Sequence, residues 1–246
     1  MDRRDLLQVG LGALVGSAPP PSAGGVPANS ETPAAADLRP TARFPVVPSR
    51  MALVNVDMQN CFVEGFPVSA PDGPAVLRRI NGLAAACRKA GILVVHTAHV
   101  LRADGSNAGV MREFIPAIRA GMIYKGSRAA DLHRDLYVAP ADIVLEKPRF
   151  GAFHGTDLEL ILRSHGIDSV IISGIATNVC CETTAREAAM RDFHVFFLSD
   201  ATATFALGSV SADQLQKSTC ATLALFGQVL SVDQMIEQIG VAQQAA

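Results

Sequence analysis

Short apolar runs that alternate with helix-like segments dominate the chain from residue 51 onward. Five of these runs are strand-like and apolar on both faces; they span residues 51–57, 92–100, 142–147, 168–174 and 194–201. Strands buried on both faces are typical of a parallel sheet, because parallel neighbours need crossover connections that cover the sheet with helices. The pattern therefore predicts an α/β fold, a single three-layer α/β/α domain with a mostly parallel sheet of about six strands.

The segments between the strands have the apolar spacing of amphipathic helices. Four helices are predicted, over residues 73–91, 156–166, 178–193 and 211–227. Gly91 and Gly166 mark the ends of two of them, and Thr156 is placed to cap a helix N-terminus. Residues 101–141 have a mixed pattern and are predicted to hold short helices and loops.

The first residues have the three-part pattern of an export signal. Arg3 and Arg4 precede a mostly apolar run from Leu6 to Ala18, which is too short to span a bilayer. The paired arginines resemble a twin-arginine signal. We therefore predict a signal peptide over residues 1–23 and a periplasmic or secreted mature protein without a membrane segment. A frayed N-terminus on a cytoplasmic protein is the alternative.

Residues 24–45 are rich in Pro, Ala, Gly and Ser and show neither a strand nor a helix period. They predict a flexible linker, followed by a folded domain over residues 46–246. Apolar residues make up 49% of the chain and charged residues 18%, so a large core can be buried. The net charge is −2 and no lysine- or arginine-rich block occurs. This balance argues against a nucleic-acid partner and favours a small molecule.

Three chemically reactive side chains lie where predicted strands end. Asp57 and Lys147 end two strands, and Cys180 lies where a third strand leads into a helix. The carboxyl ends of parallel strands share one edge of the sheet, where ligands bind. Each residue also has a common structural explanation. An aspartate caps turns, a terminal lysine is solvated, and a free cysteine is usually a small buried apolar side chain.

Cys180 is the candidate nucleophile of this group. A helix N-terminus presents unpaired N–H groups and a positive field, both of which stabilise a thiolate. Lys147 would add a fixed cation near the sulfur, and Asp57 would carry protons. Cys181 lies about 100° further round the helix and is predicted to pack in the core.

The histidines and cysteines do not have the spacing of a metal site. His96 and His99 are three residues apart, the other histidines are scattered, and neither His-x-x-x-His nor Cys-x-x-Cys occurs. We therefore predict no metal and no cofactor. The missing Cys-x-x-Cys also argues against a redox protein that uses Cys180 and Cys181.

Three separated motifs resemble those of the isochorismatase-like cysteine hydrolases, a family that includes nicotinamidases, N-carbamoylsarcosine amidases, and ureidoacrylate and biuret hydrolases. They read VNVDMQNCF, VLEKPRFGAF and SGIATNVCCETTAREA, occur in the family's order and belong to a match over about residues 51–201. The resemblance implies an isochorismatase-like, Rossmann-like topology and a homo-oligomer. It implies Asp57, Lys147 and Cys180 as the catalytic triad.

The resemblance also implies further site residues. A cis peptide between Ile175 and Ala176 would aim the N–H of Ala176, together with that of Cys180, at one point and so form an oxyanion hole. The substrate contacts that it implies are Phe62, Phe150, Phe153, Thr177 and Asn178.

The activity that the resemblance implies is hydrolysis of a C–N bond in a small amide, carbamoyl or ureido compound through a thioester, with release of ammonia or an amine. The three motifs contain no counterpart of the metal-binding Asp-x-His of many nicotinamidases, which makes nicotinamide a weaker candidate substrate. True isochorismatases cleave a vinyl ether and lack the cysteine, so Cys180 argues against that activity. Cys61 departs from the family, because the first motif commonly has a second acid there. A catalytically silent binding or scaffold protein on the same fold is the alternative.

Overall fold

A computed structural model of the chain describes residues 43–244. The signal peptide predicted over 1–23 and most of the linker predicted over 24–45 lie outside the described residues, and export and homo-oligomer formation stay predictions. At the start of the described part, the Phe44 ring stacks on the His194 ring with 4.4 Å between centroids and meets the Phe196 ring edge-on. Phe44 therefore packs with the folded part of the chain.

The described residues contain six β-strands. They are β1 (Met51–Val56), β2 (Leu93–His99), β3 (Ile143–Lys147), β4 (Ser169–Ile175), β5 (His194–Ala203) and β6 (Gln228–Leu230). They form one sheet in the order β3-β2-β1-β4-β5-β6, and every neighbouring pair is parallel. This confirms the predicted α/β fold with a parallel sheet. The apolar pattern did not indicate β6, which is only three residues long.

Eight α-helices connect the strands within residues 43–244. They are α1 (Asn60–Val63), α2 (Gly73–Lys89), α3 (Met111–Phe114), α4 (Pro116–Arg119), α5 (Leu158–Ser164), α6 (Glu182–Ala189), α7 (Ala212–Leu223) and α8 (Val232–Gln244). The two short helices α3 and α4 fall in the segment predicted to hold them. None of the helices in this part of the chain combines the length and the hydropathy needed to cross a bilayer.

The helix predicted over residues 178–193 differs from the observed structure at both ends. It begins with a π-helical turn, Thr177–Cys181, and continues as α6 only to Ala189. Asp192 has a φ of 60°, which an α-helix does not accommodate, so the chain turns there into β5. Thr156 lies one residue before the observed N-cap of α5, and its hydroxyl accepts a hydrogen bond from the Leu158 N–H.

Two apolar clusters cover the two faces of the sheet. Successive side chains of a strand point to opposite faces, and β1 is buried along its whole length. Leu53 accordingly packs in one cluster with α2 and α8, whereas Val54 packs in the other with α5 and α6. The arrangement is the three-layer sandwich that the sequence predicts.

Gly174 lies at the closest approach of β4 to β1. Its φ is +124°, and a Cβ built on it would lie 2.0 Å from the Val56 carbonyl oxygen. We expect Gly174→Ala to lower the free energy of unfolding by about 2–5 kcal/mol, because the backbone of β1 cannot move aside and the φ disfavours an L side chain. Urea denaturation measures this loss.

Gly82→Ala in α2 is the matched control for that measurement. An added Cβ at Gly82 meets nothing within 4 Å, and alanine is favoured over glycine in a helix. The control is therefore expected to be neutral or stabilising. An unchanged urea midpoint in Gly174→Ala would contradict the close contact between β4 and β1.

Candidate active site

Asp57 follows the central strand β1 and is held by the neighbouring strand β2. Its Oδ1 accepts a hydrogen bond of 2.7 Å from the Thr97 hydroxyl, and its backbone N–H donates to the Thr97 carbonyl at 3.1 Å. The side chain is fully buried, and the backbone has a φ of 52°. The carboxylate is therefore fixed in one orientation at the carboxyl edge of the sheet.

Lys147 is the last residue of β3 and pairs with Asp57 across the end of β2. Its Nζ lies 2.7 Å from Asp57 Oδ2, and both side chains are fully buried. The same ammonium donates to the carbonyls of Arg149 and Phe150 at 2.9 and 2.8 Å. Burial lowers the pKa of Lys147, but the Asp57 carboxylate together with Cys180 and Cys181 outweighs burial, and the net pKa is raised. Lys147 is thus a buried cation that donates to two backbone carbonyls and forms an ion pair with Asp57, and it is not a solvated lysine at a strand end.

Cys180 lies in the π-helical turn after β4, beside this ion pair. Its sulfur, an Asp57 carboxylate oxygen and a ring nitrogen of His99 all lie within 4.8 Å of one another. The peptide between Ile175 and Ala176 is cis, and the backbone of Ala176 is among the groups that lower the pKa of the Cys180 thiol. The structure therefore brings together the three side chains that the sequence places at strand ends.

The resting state of the Cys180 thiol depends on its burial and on its neighbours. Burial raises the pKa of the thiol to about 12; Lys147 and the Ala176 N–H oppose this shift and Asp57 adds to it. The direction of this shift favours a protonated thiol in the resting protein, and the thiolate expected at neutral pH stays a prediction. The sulfur keeps its proton until a base removes it, and Asp57 is the carboxylate in reach.

A small cavity of about 110 Å³ lies against Cys180, and its walls are almost wholly apolar. Apart from Cys180, one side chain with a polar atom lines it among the described residues: His99, whose buried Nε2 has no hydrogen-bond partner. The other lining residues are Phe62, Val68, Ile115, Ala117, Ile118, Met122, Ile123, Phe150, Ala176, Val179 and Phe205.

Two of the five implied substrate contacts line this cavity, namely Phe62 and Phe150. Phe153 does not. Its ring packs against Phe193 at a centroid distance of 5.8 Å, under the Arg191 guanidinium. Phe153 therefore packs in the apolar core, in the cluster that covers the face of the sheet next to α5 and α6.

Thr177 and Asn178 do not line the cavity either, and both side chains have hydrogen-bond partners elsewhere. The Thr177 hydroxyl donates to the side chain of Gln216 in α7. The Asn178 Oδ1 accepts a hydrogen bond from the Thr204 hydroxyl. Both side chains thus tie the π-helical turn to its neighbours, and neither is among the residues that line the cavity.

Gln59 holds His99 in place, and sequence reasoning missed it. Its Oε1 accepts from the His99 backbone N–H at 2.8 Å, and its Nε2 donates to the carbonyls of His99 and Ala130 at 3.2 and 2.6 Å. Thr97, which orients Asp57, was missed as well. The available signals were a glutamine two residues after Asp57 and a threonine inside an apolar strand.

The sequence contains two Asp-x-His triplets, Asp131-Leu132-His133 and Asp192-Phe193-His194, which the test of metal spacing did not count. His133 Nε2 lies 3.2 Å from Glu64 Oε1. His133 lines a separate cavity of about 410 Å³ together with Arg128 and Arg134. The histidine of the Asp131-Leu132-His133 triplet therefore lines a different cavity from the one that Cys180 lines.

The cluster of Asp57, His99 and Cys180 is the one group of three potential metal ligands found among residues 43–244. Its members come from three distant segments, so sequence spacing could not reveal it. The Lys147 ammonium, 2.7 Å from Asp57, repels a second cation there. The arrangement suits proton transfer between sulfur and carboxylate better than metal coordination.

The other cysteines have packing roles. All five cysteines are free thiols. Cys181 is fully buried, which confirms its predicted place in the core, and its sulfur lies 3.8 Å from the Ser173 carbonyl. Cys61 is also fully buried and packs with Leu101 and Met111. The position that commonly holds a second acid is therefore an apolar contact in this chain.

Comparisons with known proteins agree with this architecture. The isochorismatase domain matches residues 51–234. The ureidoacrylate amidohydrolase RutB of Pantoea ananatis (strain LMG 20103) is 33% identical over 215 residues, which cover 78% of this chain and 83% of that protein. The ureidoacrylate amidohydrolase RutB of Enterobacter sp. (strain 638) is 36% identical over 176 residues, or 63% of this chain and 76% of that protein.

Solved structures show the same fold. The crystal structure of a cysteine hydrolase from Pseudomonas syringae pv. phaseolicola 1448A matches with a TM-score of 0.78 and 33% identity, covering 83% of this chain and 99% of that one. An isochorismatase family protein from Desulfovibrio vulgaris subsp. vulgaris str. Hildenborough matches with a TM-score of 0.69 and 29% identity, covering 78% and 98%. By sequence, fold and the grouping of Asp57, Lys147 and Cys180, the chain belongs to the isochorismatase-like cysteine hydrolase family.

Proposed function

We propose that this protein is a cysteine-dependent amidohydrolase that cleaves a C–N bond of a small amide, carbamoyl or ureido compound. The observation that carries the proposal is the Cys180 sulfur beside the buried Asp57–Lys147 pair, against a small cavity. The ureidoacrylate amidohydrolases among the relatives support hydrolysis of a C–N bond. The geometry of the three side chains supports a nucleophilic cysteine as the route.

The first half of the reaction forms a thioester. The Asp57 carboxylate takes the proton of the Cys180 thiol, and the sulfur attacks the substrate carbonyl carbon. The C–N bond then breaks, and Asp57 returns the proton to the departing nitrogen. The leaving group is ammonia or an amine, and the acyl group stays on the sulfur.

The second half of the reaction consumes one water molecule. Asp57, now ionised again, takes a proton from water, and the resulting hydroxide attacks the thioester carbonyl. The C–S bond breaks, and the sulfur recovers its proton from Asp57. The enzyme returns to its resting thiol, and the product leaves as an acid or a carbamate.

Lys147 and the backbone of Ala176 stabilise the negative charge that develops in each half of the reaction. The Lys147 cation stays paired with Asp57 and stabilises the ionised states of the carboxylate and the sulfur. The N–H groups of Ala176 and Cys180 form the proposed oxyanion hole. Removing one donor from such a hole typically slows turnover by roughly 10²–10³-fold.

An ammonia-release screen tests the proposed function. The substrates are ureido acids, alkylureas, carbamoyl amino acids, biuret and nicotinamide, with Cys180→Ala as the blank. We expect turnover of at least one amide or ureide by the wild type and none by the variant. Equal ammonia release by both proteins, or release by neither, would leave a binding protein on the same fold as the better description.

Alkylation by iodoacetamide reports how Cys180 loses its proton. The thiol pKa is raised to about 12, so the thiolate fraction grows throughout the accessible pH range. We expect the alkylation rate at Cys180 to rise about tenfold per pH unit from about pH 7 to about pH 10, without a plateau. Tandem mass spectrometry of the peptide that contains Cys180 and Cys181 measures the rate at each sulfur.

The Asp57→Asn variant sharpens this measurement. The Asp57 charge and its hydrogen bond both raise the pKa of Cys180, so their removal lowers that pKa. We therefore expect faster alkylation of Cys180 in Asp57→Asn at every pH, together with loss of hydrolysis. A plateau in the wild type near neutral pH would indicate a preformed thiolate and contradict the role given to Asp57.

A further inference from the structure

His99 presents an unused hydrogen-bond acceptor beside the nucleophile. It is 2% exposed, its Nε2 has no partner, and it lines the cavity against Cys180. One of the two ring nitrogens of a neutral imidazole is a bare acceptor, and we assign that role to the unpartnered Nε2. Burial lowers the pKa of His99 well below its ordinary value.

The orientation of this acceptor is fixed. Gln59 bonds both backbone groups of His99, and the Phe150 ring meets the imidazole edge-on at a centroid distance of 5.7 Å. A buried acceptor without a partner costs free energy, so it is normally matched by a donor. Here the matching donor would be an N–H group held in the cavity, next to the sulfur that attacks the carbonyl.

The cavity has no partner for a negative charge. No lysine or arginine is among the described residues that line it. The Lys147 ammonium behind it is already bound to Asp57 and to the carbonyls of Arg149 and Phe150. The cationic side chains Arg128 and Arg134 line the other cavity, which shares no lining residue with this one.

We propose, on the basis of the function proposed above, that this site takes a small uncharged primary amide or ureide with an apolar substituent. The NH₂ group of the substrate donates to His99 Nε2, and the substituent contacts the apolar walls around Phe62 and Phe150. The cavity, about 110 Å³, is well below the roughly 300–1,000 Å³ of sites for drug-sized ligands. His99 is therefore a substrate-binding residue that selects for the N–H group, and acidic ureides are poor ligands.

This preference separates the chain from relatives named for ureidoacrylate, an acidic ureide. A carboxylate carried into the cavity would lose its hydration and find no cation in return, which is strongly unfavourable. An alkyl group of the same shape gains free energy from the same walls. The apolar walls therefore select uncharged ligands over acidic ones, and His99 selects ligands that carry an N–H donor.

The test measures binding to Cys180→Ala, which cannot turn over, by isothermal titration calorimetry. The matched ligands are 3-ureidopropionate and isopentylurea, in which an isopropyl group replaces the carboxylate of the same shape. We expect isopentylurea to bind at least about 100-fold more tightly, the effect of leaving a buried carboxylate without a counter-ion. Equal or tighter binding of 3-ureidopropionate, or no binding of either ligand, would overturn the proposal.

Variants of His99 in the same Cys180→Ala background test the acceptor. His99→Phe fills the site without an acceptor and is expected to raise the Kd of isopentylurea about tenfold. His99→Gln, whose carbonyl oxygen can accept, is expected to recover part of that loss. An unchanged Kd in His99→Phe would contradict the role of His99 as the acceptor for the substrate N–H group. Thermal melting of each variant shows whether the fold is retained.

These binding results are independent of catalysis. If isopentylurea binds as expected but the wild type releases no ammonia from it or from any other substrate, the proposed hydrolase function fails and the ligand preference stands. If ammonia is released faster from 3-ureidopropionate than from isopentylurea, the hydrolase function stands and the ligand preference fails.

Discussion

Cys180→Ala is expected to lower kcat/KM for the best substrate of the ammonia screen by about 10⁴-fold or more, because no other group in the cavity can form the thioester. The sulfur is the one thiol among the described residues that line the cavity. Alanine removes it without burying a new polar group. Initial rates of ammonia release, at substrate concentrations well below KM, measure the loss.

The neighbouring residue supplies the matched control. Cys181→Ala makes the same chemical change one position further along, at a side chain that is fully buried and does not line the cavity. We expect this variant to keep its activity within about threefold and to lose about 1 kcal/mol of stability from the small space left behind. Equal losses of activity in the two variants would show that the effect comes from packing, and Cys180 would no longer be the nucleophile.

Lys147→Met is expected to cost about 3–5 kcal/mol of folding free energy, because it leaves the Asp57 carboxylate buried without its counter-ion. Both side chains of this pair are fully buried, with 2.7 Å between Nζ and Oδ2. We also expect activity to fall to the background of Cys180→Ala, since the ionised carboxylate and sulfur lose their cation. Urea denaturation at neutral pH gives the stability, and ammonia release gives the activity.

The double variant Asp57→Asn/Lys147→Met separates the two effects. It replaces the pair with neutral side chains of similar size, so most of the lost stability should return while hydrolysis stays absent. A double variant no more stable than Lys147→Met would contradict the unpaired charge as the cause.

The pH dependence of this stability has a definite sign. The pKa of Lys147 is raised above its ordinary value of 10.5 in the folded protein. The contribution of the ion pair is therefore fully present below the unfolded pKa of about 10.4 and is lost only as the pH rises through the folded pKa. The stability difference between wild type and Lys147→Met should accordingly be flat through neutral pH and shrink under alkaline conditions.

The layers of this fold could be predicted because its buried strands appear in the sequence as short apolar runs. β1, β2, β4 and β5 are long enough to show such a run between helical segments. β6 has three residues, which is too few to establish a period. The π-helical turn at Cys180 could not be predicted either. Apolar spacing does not distinguish the i→i+5 hydrogen bonds of a π-helix from the hydrogen bonds of an α-helix.

The backbone positions of the candidate site residues could be predicted from the sequence, but their side-chain directions and protonation states could not. Strand ends placed Asp57, Lys147 and Cys180 at one edge, which the parallel topology then brings together. The direction of side chains in loops depends on local backbone angles, so the sequence could not show that Phe153, Thr177 and Asn178 do not line the cavity against Cys180. The protonation of Cys180 depends on how deeply the turn is buried, which spacing does not encode.

The sheet order has a consequence for how the reactive sulfur can be used. The Ser173 hydroxyl donates to Asn55, 118 residues away in the chain, and Asp57 depends on Thr97 for its orientation. No short fragment of the polypeptide holds the pieces that tune Cys180. The rate at which iodoacetamide alkylates that thiol during refolding therefore reports when the whole fold is complete. The measurement needs no knowledge of the natural substrate.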